Sequence, residues 1–125
     1  MFMRRALPLI LATGFLAQPA LADEQRPDHY KGEASATLEQ AVKNFSEYNT
    51  RLEVALAEEP LDLAKLDEIH KLTYTLENAL KKMRKDMDAL ADTLEAVHKA
   101  SEYGDAETAK REGANYLKVS RTLVK

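Results

Sequence analysis

Residues 61–104 read LDLAKLDEIH KLTYTLENAL KKMRKDMDAL ADTLEAVHKA SEYG, with no proline anywhere and no glycine before Gly104. Leu66, Ile69, Thr73, Leu76, Leu80, Met83, Met87, Leu90, Leu94, Val97 and Ser101 recur in alternating steps of three and four. That is heptad spacing, which gathers side chains on one seam of a helix. It predicts one helix of about 40 residues, on the order of 60 Å long at ~1.5 Å per residue. Asp62 is the expected N-cap, and Leu61 and Leu66 form a hydrophobic staple across it. Gly104 occupies the position where helices commonly stop. Leu72, Ala79, Thr93 and Ala100 add a third lane, wider than a two-stranded coil uses.

The flanking segments show the same period, and no stretch has the two-residue alternation of a strand. A first helix is expected from Ser35 or Thr37, with Thr37 and Gln40 as a capping box. Its stripe is Leu38, Val42, Phe45, Asn49, Leu52 and Leu56, and Pro60 closes it. A third helix begins at Asp105 and carries Ala109, Gly113, Tyr116, Ser120 and Leu123. Gly113 in its interior costs about 1 kcal/mol relative to alanine, which predicts a close approach of another helix there. Both connections are a few residues long, so each shorter helix folds back antiparallel on the long one. The expected fold is all-α: three antiparallel helices, a long central one flanked by two shorter ones, forming a single domain over residues 35–125.

Such a chain is two helices thick and leaves apolar surface uncovered. Two arrangements relieve this. A break near Lys81–Lys85 gives a four-helix up-down bundle. Alternatively, a homodimer sets two long helices face to face in an extended four-helix bundle. The heptad passes unbroken through Lys81-Lys82-Met83-Arg84-Lys85, which favours the dimer.

Upstream, residues 1–22 have the form of a secretory signal peptide: Arg4 and Arg5, an apolar run from Ala6 to Ala17, then Ala20-Leu21-Ala22. The run is too short for a permanent membrane anchor. Cleavage between Ala22 and Asp23 leaves 103 residues and takes the formal charge from −3 to −5. A net acidic chain argues against nucleic-acid partners, which require clustered Lys and Arg. The chain has no cysteine, so packing or a partner must supply what disulfides give many exported domains. Residues 23–34 form an extended N-terminal arm. Its segment Arg26-Pro27-Asp28-His29-Tyr30-Lys31-Gly32 reads first as a disordered leader beyond the cleavage site, and second as a docking segment in which His29 and Tyr30 make the contacts.

Candidate chemistry is sparse. No cysteine nucleophile, phosphate-cradling glycine loop or serine–histidine pairing in a known context is present, so no catalytic residue and no cofactor is expected. His70 and His98 share one lane of the long helix but stand 28 residues apart, about 42 Å, so a single straight helix keeps them separate. An antiparallel dimer with its two-fold near residue 84 brings them level. Met83 and Met87 lie one turn apart, and paired thioethers suit Cu(I), although core methionine is more often a gap filler. Asn49 and Thr73 are polar residues on apolar seams, where a buried pair sets register. The antiparallel fold places them at similar height, within reach of a mutual hydrogen bond.

Arg26–Gly32, Thr37-Leu38-Glu39-Gln40-Ala41-Val42 and Ile69-His70-Lys71-Leu72-Thr73-Tyr74-Thr75-Leu76-Glu77 together resemble a family of small exported proteobacterial proteins that carries only a domain-of-unknown-function label. The resemblance spans nearly all of the mature chain and implies a periplasmic location without implying an activity. In size and helix content the chain is also similar to soluble periplasmic b-type cytochromes, which hold haem between an N-terminal Met and a C-terminal His. It lacks both ligands: no Met remains ahead of the first helix and no His lies in the third. The expected role is that of a non-enzymatic periplasmic helical-bundle protein working through protein contacts. The alternative is a copper, zinc or haem carrier using His70 and His98 or Met83 and Met87.

Overall fold

A computed structural model describes residues 30–125; His29, the cleavage site and the leader lie outside them. The order is α1 (Leu38–Ala57), α2 (Leu63–Glu102) and α3 (Ala106–Leu123), with no strand among the described residues. The three N-caps are as the sequence predicts. Thr37 Oγ1 accepts from the Gln40 backbone N–H at 3.2 Å, Asp62 Oδ1 from Lys65 at 2.9 Å and Asp105 Oδ1 from Thr108 at 3.0 Å. Gln40 completes its box one residue further out, taking the Ala36 N–H at 3.0 Å. Gly104 adopts φ +70°, the left-handed conformation that lets the chain leave α2 and enter α3 within three residues.

α2 is a single 40-residue helix with no break at Met83 or Arg84, which removes the four-helix up-down alternative. Its interior is rich in Leu, Ala, Lys, Glu and Met, straight-chain or small residues that lose little entropy in a helix. α1 packs antiparallel on its first half and α3 on its second, and α1 and α3 meet only weakly. The cross-section is therefore two helices at every level.

The core uses a different pair of lanes from the one the heptad alone suggests. On α2 the buried residues are Leu72, Thr75, Leu76, Ala79 and Ala100. Leu66, Leu80, Met87 and Leu94, expected in the seam, are instead 48%, 49%, 54% and 46% exposed. On α1 the buried residues are Leu38, Ala41 and Ala55, while Val42 is half-buried and Asn49 and Leu56 are exposed. Small residues explain the shift. Ala41 and Ala79, both fully buried, allow close approach of the two backbones. These alanine lanes turn inward, and the bulkier lane one residue further on (Val42 and Leu56 on α1, Leu80 on α2) is left at the margin.

Gly113 does not mark a close approach. A Cβ built there meets nothing within 4 Å.

Candidate functional site

The arm ahead of α1 is docked. Residues 31–36 run extended along the α1–α2 groove, held by a small set of polar side chains. Asn78 Nδ2 donates to the carbonyls of Lys31 and Glu33, both at 2.9 Å. The Glu33 N–H donates to Thr75 Oγ1 at 2.9 Å. Asn44 Nδ2 donates to the Ala34 carbonyl at 3.3 Å and to Ser35 Oγ at 3.1 Å. Gly32 sits at φ +68°, and a Cβ there would lie 2.7 Å from the Thr75 backbone nitrogen. Glycine is thus required twice over, by the dihedral and by the close passage. Thr75 is wholly buried and its hydroxyl is satisfied by the arm. From Tyr30 onward, the structure corrects the expectation of a disordered leader.

Tyr30 extends this clasp. Its ring meets Tyr74 edge to face at 5.6 Å, and Tyr74 meets His70 the same way at 5.1 Å. The Tyr74 hydroxyl lies 3.2 Å from His70 Nε2. His70 thus stands at the end of a three-ring row. His98 is exposed at the far end of α2, with its Nε2 3.3 Å from Glu102 Oε1. One unbroken helix separates the two histidines. Met83 is half-buried and Met87 largely exposed, one turn apart. Among the described residues, no three histidine or acidic side chains converge on a point.

Asn49 and Thr73 do not bond to each other. The Thr73 hydroxyl donates to the His70 carbonyl at 2.6 Å, and Asn49 stands on the exposed margin of α1. The register-setting amides are Asn44 and Asn78, which the periodicity argument passed over because neither lies on an apolar seam. Their signal was present: asparagine is a poor residue for a helix interior, and two of them here face one glycine-bearing arm.

Charges around the clasp are local. The Lys71 ammonium, 2.7 Å from Asp67 Oδ2, holds the Asp67 carboxyl below its usual range, with a smaller contribution from His70. Glu58 and then Glu68 raise Lys65 and tie the α1–α2 turn to the first turn of α2. All are solvent-exposed pairs and contribute little to stability.

A second recess of about 410 Å³ lies where α1 begins and α3 ends against the middle of α2, lined by Leu38, Lys82, Asp86, Leu90, Val119 and Thr122. Lys82 and Asp86 pair across one turn at its edge, 2.8 Å apart. This recess and the clasp use the same side of α2, through Thr75, Lys82 and Ala89 at seven-residue spacing. On the opposite margin lies the open lane of Leu66, Leu80, Met87 and Leu94, which enters neither feature.

The whole of the chain, residues 1–125, matches one protein family. It belongs to a family of unknown function, DUF6746. No curated protein and no solved structure matches it.

Proposed function

We propose that the chain is an exported, non-enzymatic helical protein, periplasmic after cleavage between Ala22 and Asp23, that acts by presenting its uncovered apolar lane to a protein partner. One observation carries this reading: Leu66, Leu80, Met87 and Leu94, at multiples of seven residues on one unbroken helix, stay about half exposed after α1 and α3 have packed. Large aliphatic side chains aligned over several turns are the feature helix-in-groove contacts use. The form of residues 1–22 supports export, and the resemblance to exported proteobacterial proteins supports the compartment.

The test places a photo-crosslinking amino acid at Leu94, with a control at Asp92, in cells that express the full chain. The reading expects adducts with protein from position 94 and none from position 92, in the envelope fraction, on a chain whose first residue is Asp23. Equal labelling at both positions, or none at position 94, overturns it. The alternative is a copper, zinc or haem carrier built on His70 and His98 or on Met83 and Met87. Stoichiometric metal or a Soret band in protein purified from the envelope would replace the first reading.

A further inference from the structure

The open lane has a counterpart on α1. On α2, Thr73, Leu80, Met87 and Leu94 each lie four residues beyond an inward residue, Ile69, Leu76, Met83 or Leu90. On α1, Val42, Asn49 and Leu56 stand likewise four beyond Leu38, Phe45 and Leu52. Antiparallel helices are related by a two-fold perpendicular to both axes, which carries an offset lane to the same side of the pair. Both lanes therefore face one way. The arm and the recess occupy the other side, through Thr75, Asn78, Lys82 and Ala89. One side of this two-helix slab is strapped, and the other carries a mainly apolar lane on α2, interrupted by Thr73 and flanked on α1 by Val42, Asn49 and Leu56.

We infer that the partner on that strip is a second copy of this chain, docked antiparallel with α2 along α2. The inference rests on the reading of the lane as a contact surface. The lane spans Leu66 to Leu94, about 42 Å, in steps of seven, and a partner must offer a helix of equal length and period. α2 is such a helix. The lane, extended to Ser101, is centred between Leu80 and Met87. A two-fold there sets Leu80 against Met87 of the second copy, and Thr73 against Leu94 of the second copy. It also lays α1 of each copy beside α3 of the other, so the slab becomes four helices thick at every level. Antiparallel pairing brings Lys81 within two residues of level with Asp88 of the second copy, whereas parallel pairing sets Lys81 against Lys81; Arg84 meets its own copy in either sense. A strip about 60 Å long and two helices wide, at 8–10 Å between axes, offers on the order of 1,000 Å² per copy. A stable interface takes about 800 Å² per partner.

The cysteine-free sequence makes the register directly measurable. Arg84, His70 and His98 lie in one lane beside the strip. Antiparallel pairing sets position 84 within one residue of its own copy and position 70 within one residue of position 98. With a short bismaleimide, purified R84C is expected to form a covalent dimer. H70C and H98C are expected to stay single when alone and to join when mixed. Light scattering on the parent chain is expected to give twice the chain mass. The double variant L80K/M87K is expected to give the single mass with unchanged helical circular dichroism, since both side chains are already exposed in one chain. Self-crosslinking of H70C alone establishes the parallel sense and overturns the proposal, as does a single-chain mass for the parent. If that monomer still labels a different protein from Leu94 in cells, the contact reading stands and only the choice of partner fails.

Discussion

Gly32 and Gly104 share a left-handed backbone, with φ of +68° and +70°, but not an environment. A Cβ at Gly104 meets nothing within 4 Å, whereas at Gly32 it would press on the backbone of Thr75. Gly104→Ala is therefore expected to cost only the dihedral penalty, about 1 kcal/mol. Gly32→Ala is expected to cost about 1–3 kcal/mol and to free the arm. Urea unfolding, with limited proteolysis at Lys31, separates the two; equal losses would refute the close passage. Gly113→Ala works in the opposite direction. With open space at its Cβ, the substitution is expected to stabilise by about 1 kcal/mol in the same assay.

Asp105 gives a pH dependence at the same scale. The Thr108 backbone N–H, then its hydroxyl, hold the Asp105 carboxyl below its ordinary value of 3.8. The carboxylate's contribution to capping α3 is complete above that ordinary value and is lost as pH falls through the lower folded one. Helicity of the parent chain is thus expected to drop below about pH 4, with part of that drop missing in Asp105→Asn. Parallel acid titrations of the two proteins would count against the cap.

At the scale of the helix, α2 carries the fold, and its continuity was readable in advance. Leu, Met, Ala, Lys and Glu fill it, Asp62 and Gly104 bound it, and nothing within it disfavours helix strongly enough to break it. Arg84→Pro is accordingly expected to cost about 3 kcal/mol or more and to break α2 at its middle, read as a loss of helical circular dichroism and an earlier onset of melting. The lane chosen for packing was not readable. Heptad spacing marks Leu80 and Ala79 alike as near the seam; which one turns inward depends on the facing helix, where Ala41 admits close approach. The clasp escaped for a related reason. Thr75, Asn78 and Asn44 break no periodicity, and their role follows only from the arm that crosses them. Asn49 stands out as a polar intrusion only when its stripe is taken whole; the structure turns Leu38, Phe45 and Leu52 inward and leaves Val42, Asn49 and Leu56 at the margin.

Across the whole chain, packing is uneven between the two ends of α2. Leu72, Thr75, Leu76 and Ala79 are buried beneath α1 and the arm, whereas Ala100 is the one buried α2 residue beneath α3, and α3 itself buries none. Because α1 and α3 scarcely touch, little couples the release of one to the release of the other. The carboxy-terminal hairpin should fray well before the amino-terminal one. Amide exchange is expected to be fastest in α3 and residues 93–102, and slowest around Leu72–Ala79. Uniform protection along α2 would show that the two ends open together. An unequal rod of this kind can shed its last helix and bare fresh greasy surface at one end while the strapped end stays shut, so heat or mild denaturant should yield a half-open species before a fully unfolded one.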